Sequence, residues 1–239
     1  MQEQLIGTTM PVLSISLDPG ESVVAEAGEF SWMTDSIQMS TGMGAGGQGL
    51  VGALKRKIGG SSLLMSTYSA KGATGTIAFA AKLPGNIRPV DVTPGREFMV
   101  HRHGFLAGTP GIQISAGFQQ SFSAGVFAGE GFLLQRVGGQ GRAWIELSGE
   151  LIRYELAPGQ SLRVHPGHVG MFDASMAFQV MRVQGAANRY FGGDTHHFAV
   201  LSGPGTVWLQ SMPLPVFAAS LAPYLSTQGD RSAAVEGGV

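Results

Sequence analysis

Short apolar runs alternate with polar turns along almost the whole chain. Segments such as "VLSISL" (12–17), "TGTIAFAAKL" (74–83), "AWIEL" (143–147) and "SLRVH" (161–165) have the period-two pattern or β-branched content of strands. Only two stretches read as helix. One lies around Leu50 to Ile58, the other from Pro215 to Leu225, where Pro223 limits its regularity. The expectation is an all-β protein of antiparallel strands with a short C-terminal helix.

The strand pattern recurs. A Pro-Gly turn followed by a strand occurs in "LDPGESVVAEAG", "VTPGREFMVHRHG" and "LAPGQSLRVHPGH". Pro presets φ at the second position of a type II turn, and Gly accepts the positive φ of the third. Downstream of each lies an apolar strand, a Gly-rich hairpin and a second strand: "GGSSLLMSTYSAKGATGTIAF", "GEGFLLQRVGGQGRAWIEL" and "GGDTHHFAVLSGPGTVWLQ". The interval from Gly95 to Gly129 equals that from Gly159 to Gly193, and Gly129 to Gly141 equals Gly193 to Gly205. The first copy is longer by five and then four residues. Three units, about 1–90, 91–154 and 155–212, are therefore expected to pack as curved sheets in a barrel-like domain with a pseudo-threefold arrangement. With the helical segment they form one domain, 1–225, and 226–239 is expected to be a flexible tail.

Composition narrows the function classes. Of 239 residues, 44% are hydrophobic and 13% charged, which opposes disorder and leaves much of the surface low in charge. The net charge is -1, and the cations are not interleaved with aromatic stacking platforms, so nucleic-acid binding is not expected. Cysteine is absent, which removes disulfides, thiolate metal sites and cysteine nucleophiles. No secretory signal pattern or long apolar span is evident, and a cytoplasmic location is the expectation.

The residues also carry a family likeness. The Gly-rich run into "LVGALKRKIGGSSLL", then "LPGNIRPVDVTPG", "HGFLAGTPGI", "GEGFLLQRVGGQGRAWI" and "GPGTVWLQSMPLPVFAASLAPYL" resemble, in order, the altered-inheritance-of-mitochondria family. That resemblance implies a fold like that of the tryptophan RNA-binding attenuation protein. It implies no enzyme activity, catalytic residue or cofactor.

Candidate chemistry is sparse. The glycines of "TGMGAGGQGLVGALKRKIGG" are not followed by the Gly-Lys-Ser/Thr of a phosphate loop. The segment pairs apolar Leu50, Val51 and Leu54 with Lys55, Arg56 and Lys57, as interfacial helices do, and is a candidate for weak membrane-surface or partner contact. His101 and His103 in "GREFMVHRH" match the opening of a cupin metal motif, but no glutamate follows. Six residues after the turn glycines stand Glu26, His101 and His165, a two-histidine, one-carboxylate set suited to iron or zinc if the units converge on an axis. His165 and His168 of "HPGH" do not share a strand face, and the adjacent His196 and His197 point to opposite faces of any strand. Asp35, Asp91, Asp173 and Asp194 read as turn residues. Trp144 and Trp208 fall at equivalent places and read as core, as do Ile77 and Phe79. No coherent catalytic set emerges. The leading expectation is a non-enzymatic scaffold or interaction protein that self-associates as a homo-oligomer or holds an unknown protein partner. The alternatives are a metal- or small-molecule-binding β-barrel and a peripheral membrane protein.

Overall fold

A computed structural model describes residues 1–42, 65–120, 131–182 and 197–225, with the backbone of two short strands at 57–58 and 61–62. The described residues form antiparallel strands, with one α-helix near the C-terminus.

The strands pair by a recurring scheme. In residues 12–80, β2 (Val12–Leu17) pairs with β9 (Gly75–Ala80), β3 (Ser22–Glu26) and β5 (Ile37–Gly42) pair with β8 (Met65–Ala70), and β4 (Trp32–Met33) pairs with β9. In residues 85–148, β10 (Gly85–Val92) and β12 (Phe105–Gly108) pair with β15 (Gly141–Ser148). There β11 (Phe98–His101) and β13 (Ile112–Gln120) pair with β14 (Phe132–Gly139). In residues 151–210, β16 (Leu151–Leu156) and β18 (Val169–Asp173) pair with β21 (Gly205–Gln210). Likewise β17 (Ser161–Val164) and β19 (Ala177–Arg182) pair with β20 (His197–Ser202).

Neighbouring stretches then share sheets. β3 joins β12, giving the six-stranded order β10-β15-β12-β3-β8-β5. β11 joins β18, giving β13-β14-β11-β18-β21-β16. A four-stranded sheet, β1-β2-β9-β4, starts with β1 (Gln2–Ile6), and β17-β20-β19 form a sheet of three. β6 (Lys57–Ile58) and β7 (Ser61–Ser62) form a small ribbon. The helix expected over 50–58 therefore gives way to a strand at Lys57–Ile58, and the rest of it lies outside the described residues. Helix α1 (Leu214–Leu225) includes Pro223.

The Pro-Gly turns set the spacing. Glu21, Arg96 and Gln160 donate their amides to the carbonyls of Asp18, Thr93 and Ala157, closing four-residue turns. Gly20, Gly95 and Gly159 hold φ of 89°, 89° and 81° at the third position, a conformation costly to a residue with a Cβ.

Three apolar clusters follow from these pairings. The first joins Leu13, Ile15, Tyr68, Ile77 and Phe79 to Leu106, Ala107 and Trp144, so the second stretch completes the core of the first. The second cluster centres on Phe98, Val100 and Ile145 and takes in Met171 and Trp208. The third holds Val164, Phe172, Leu201 and Val207 with Phe132 and Leu134. Trp144, Ile77 and Phe79 are fully buried and Trp208 nearly so, as expected of core residues.

Candidate functional site

The densest buried polar chemistry lies along the seam between the first two stretches. Glu146 stands on β15 two residues beyond Trp144, between the buried Ile145 and Leu147. Its Oε1 accepts the Lys82 amide at 2.7 Å and the Leu83 amide at 3.4 Å. These amides belong to the link between β9 and β10, so the carboxylate ties down that crossing. Burial pushes the Glu146 pKa above the ordinary carboxyl range, against the opposing pull of the Lys82 amide and charge.

His101 ends β11, and its Nε2 lies 3.0 Å from the Glu146 carbonyl oxygen. Burial of the ring lowers its pKa from the usual imidazole value. A histidine held neutral by the fold stabilises above the unfolded-state pKa, and that contribution is lost as pH falls through the lowered, folded value. Glu26 ends β3 and accepts a hydrogen bond from Gln135 Nε2 at 2.8 Å. Burial raises its pKa, opposed by the Gln135 bond. Lys82 pairs with Glu29 through its ammonium and completes the seam.

His101 also fixes the hairpin beside it. A Cβ on Gly104 would lie 2.6 Å from Val100 Cγ1 and 2.8 Å from two atoms of the His101 ring. Gly104→Ala is therefore expected to push the ring off its carbonyl and lower stability by about 1–3 kcal/mol, the cost of overpacking. Urea unfolding at neutral pH reads this directly, and a variant as stable as the parent would show that the ring is free to move. The same measurement as a function of pH should show acid sensitivity in the parent that is smaller in His101→Gln.

A related arrangement recurs in the third stretch. Gln210, on β21, also stands two residues beyond its tryptophan, and is buried. Its Oε1 accepts the Ser148 amide at 3.1 Å, and its Nε2 donates to the Gly167 carbonyl at 3.1 Å. Its own carbonyl lies 2.8 Å from Nδ1 of His168. Both residues thus use a side-chain oxygen to hold the chain just before their own stretch begins, and a carbonyl to hold a histidine.

The expected triad is not brought together. Glu26 engages Gln135 and His101 engages the Glu146 carbonyl, while His165 packs its ring against His168 with centroids 5.7 Å apart. Among the described residues no three His, Asp or Glu side chains are placed to hold a metal ion. The physical reason is that equivalent strand ends carry different partners here, so sequence equivalence does not bring their side chains to one point. His103 sits in the β11–β12 turn at φ 64°. His165 and His168, expected to be apart, are brought side by side by the 3-10 turn Pro166–His168. Asp91 is not a turn residue but lies in β10 and accepts from Arg142 Nε at 2.9 Å. Asp173 accepts the Thr206 amide at 2.7 Å. Leu50, Val51, Leu54, Lys55 and Arg56 lie outside the described residues, as do Asp194 and His196; Lys57 is placed by its backbone alone.

Glu146 and Gln210 escaped the sequence reading. Their signal was a polar residue two places after each tryptophan, in strands otherwise read as core. The chemistry they show is structural: an acceptor for backbone amides at a crossing.

An all-β chain of antiparallel sheets is the class that the fold defines. The chain matches the family model for mitochondrial biogenesis AIM24 over residues 4–212 and belongs to that family. It is 23% identical over 224 residues to an uncharacterised protein of Streptococcus pyogenes serotype M6, covering 92% of this chain and 89% of that one. A crystal structure of a Streptococcus pyogenes protein is similar with a TM-score of 0.73 and 21% identity, covering 93% of this chain and 99% of that one. No helix among the described residues is long and apolar enough to cross a membrane.

Proposed function

We propose that the protein is a non-enzymatic scaffold that self-associates through low-charge surfaces, in the cytoplasm. The observation that carries this reading is helix α1. It has the sequence "LPVFAASLAPYL", contains no charged residue and buries none of its side chains. Leu214, Phe217, Leu221 and Leu225 are all exposed, which is unfavourable for an isolated chain and is relieved by contact with a second copy. Glu146, the buried carboxylate of the seam, supports the non-enzymatic part, because it holds backbone amides.

We read the recurring strand pairings as three copies of one unit, in a fold like that of the tryptophan RNA-binding attenuation protein. The likeness concerns architecture and brings no RNA with it, because fold does not carry function.

Size-exclusion chromatography with light scattering tests the role of the helix. The parent is expected to run above the mass of one chain. The double variant Phe217→Lys, Leu221→Lys is expected to shift towards one chain while its far-ultraviolet spectrum keeps its β signature. A parent that is monomeric throughout the micromolar range would overturn the reading.

A further inference from the structure

We infer that the outer edges of β4 and β17 are the two halves of one β junction that joins successive copies of this chain. The inference rests on the self-association reading and names the surface involved.

The argument starts from the sheets. Each six-stranded sheet is a fusion of two kinds of half. One kind is β10-β15-β12 or β16-β21-β18; the other is β3-β8-β5 or β11-β14-β13. The junctions are β12 with β3 and β18 with β11. One half of each kind is left over. β2-β9-β4 is a half of the first kind, and β17-β20-β19 is a half of the second. Among the described strands, β4 has no neighbour beyond β9, and β17 has none beyond β20. β1 covers the opposite edge, on β2, so the edge left open is the one that forms junctions elsewhere.

Burial supports the same reading. The partners of Trp32, Ala107 and Met171 on their central strands are Ala78, Trp144 and Trp208, which occupy equivalent places. Ala107 and Met171 lie at junctions and are fully buried, whereas Trp32 is 55% exposed. A tryptophan left exposed among the described residues in a junction position is where a partner strand belongs.

The two existing junctions also fix the register, independently and in agreement. Val24, Met99 and Arg163 each stand four residues after the glycine of their Pro-Gly turn. Gly108 faces Val24 in one junction, and Phe172 faces Met99 in the other. Gly108 and Phe172 both correspond to Met33, so each junction places Met33 opposite Arg163. The second junction further places Thr34 opposite Leu162, from Asp173 opposite Phe98.

The charge on β17 selects the partner. Where the other two strands carry Val24 and Met99, β17 carries the exposed Arg163. Two β17 edges meeting each other would bring like charges together. The β4 edge, which is followed by the exposed Asp35, is the complementary choice. The junction is therefore heterologous, head of one copy to tail of the next, and it either closes into a ring or propagates.

The chain has no cysteine, which makes cross-linking a clean test. Paired residues of an antiparallel junction have Cα atoms about 4.5–5.5 Å apart, within disulfide range. Met33→Cys and Arg163→Cys are made as separate chains, mixed, and oxidised mildly. Mixing is expected to give a covalent dimer at several times the yield of either chain alone. Thr34→Cys with Leu162→Cys gives the same result in the same register and guards against a folding defect in one variant. Two results overturn the inference. One is a mixed sample with no more dimer than the separate chains. The other is a Met33→Cys, Arg163→Cys double variant that closes a disulfide within one monomer, showing that the edges meet inside the chain. If either occurs while the parent still sediments as an oligomer, the scaffold reading stands and this junction falls; a monomeric parent removes both.

Discussion

Trp144→Ala is expected to lower the free energy of unfolding by about 3–5 kcal/mol, the range for truncating a large buried aromatic. Trp144 is fully buried on β15, yet it belongs to the apolar cluster formed chiefly by β2, β3, β8 and β9. The variant therefore empties a space shared by two stretches of chain and weakens their contact as well as the local core. Domain stabilities are commonly about 5–15 kcal/mol, so the loss takes a large share of the total. Trp144→Phe separates packing from polarity. The indole Nε1 is buried without a hydrogen-bond partner among the described residues, and phenylalanine removes that donor while keeping much of the volume. Denaturant unfolding should rank parent and Phe variant close together, with Ala far below. An Ala variant within about 1 kcal/mol of the parent would show that the first cluster does not depend on this ring.

Glu146 gives the second large effect, and its two substitutions should diverge. Glu146→Ala leaves the amides of Lys82 and Leu83 without their acceptor inside the seam. These bonds are part-buried, so the loss is expected at the lower end of the about 1–3 kcal/mol that an unsatisfied buried donor costs, with the shorter Lys82 bond carrying most of it. Glu146→Gln keeps an oxygen in place, as Gln210 does for the Ser148 amide. The pH dependence follows from the raised carboxyl pKa. A group that holds its proton more tightly when folded contributes stability below its unfolded pKa and loses it as pH rises through the folded value. The Gln variant has no such loss, so its stability relative to the parent should improve from acid towards neutral pH. Paired urea unfolding at several pH values measures the difference. A Gln variant as unstable as Ala, or a gap that does not change with pH, would contradict the role assigned to this carboxylate.

Much of the fold was legible because strands and turns have local causes. The Pro-Gly turns form at 18–21, 93–96 and 157–160 because the sequence fixes both φ values there. Alternation in "VLSISL" gave a strand whose Leu13, Ile15 and Leu17 are buried and whose serines are half-exposed. Less legible was which side chains meet. Glu26 and His101 fall along one seam, but their partners, Gln135 and the Glu146 carbonyl, lie far away in sequence. The spacing after each turn glycine marks equivalent backbone positions, and says nothing of what stands across from them. His165 shows the opposite error. A period-two reading separates it from His168, and a single 3-10 turn brings their rings together. The neighbours of Asp91 suggest a turn, whereas its role is set by Arg142 on the adjoining strand.

Sedimentation equilibrium of the intact, unmodified chain over a broad micromolar range tests the central claim most directly. The account predicts an average mass above that of one chain, rising with concentration or fixed at a whole multiple. A mass equal to one chain at every concentration would contradict it.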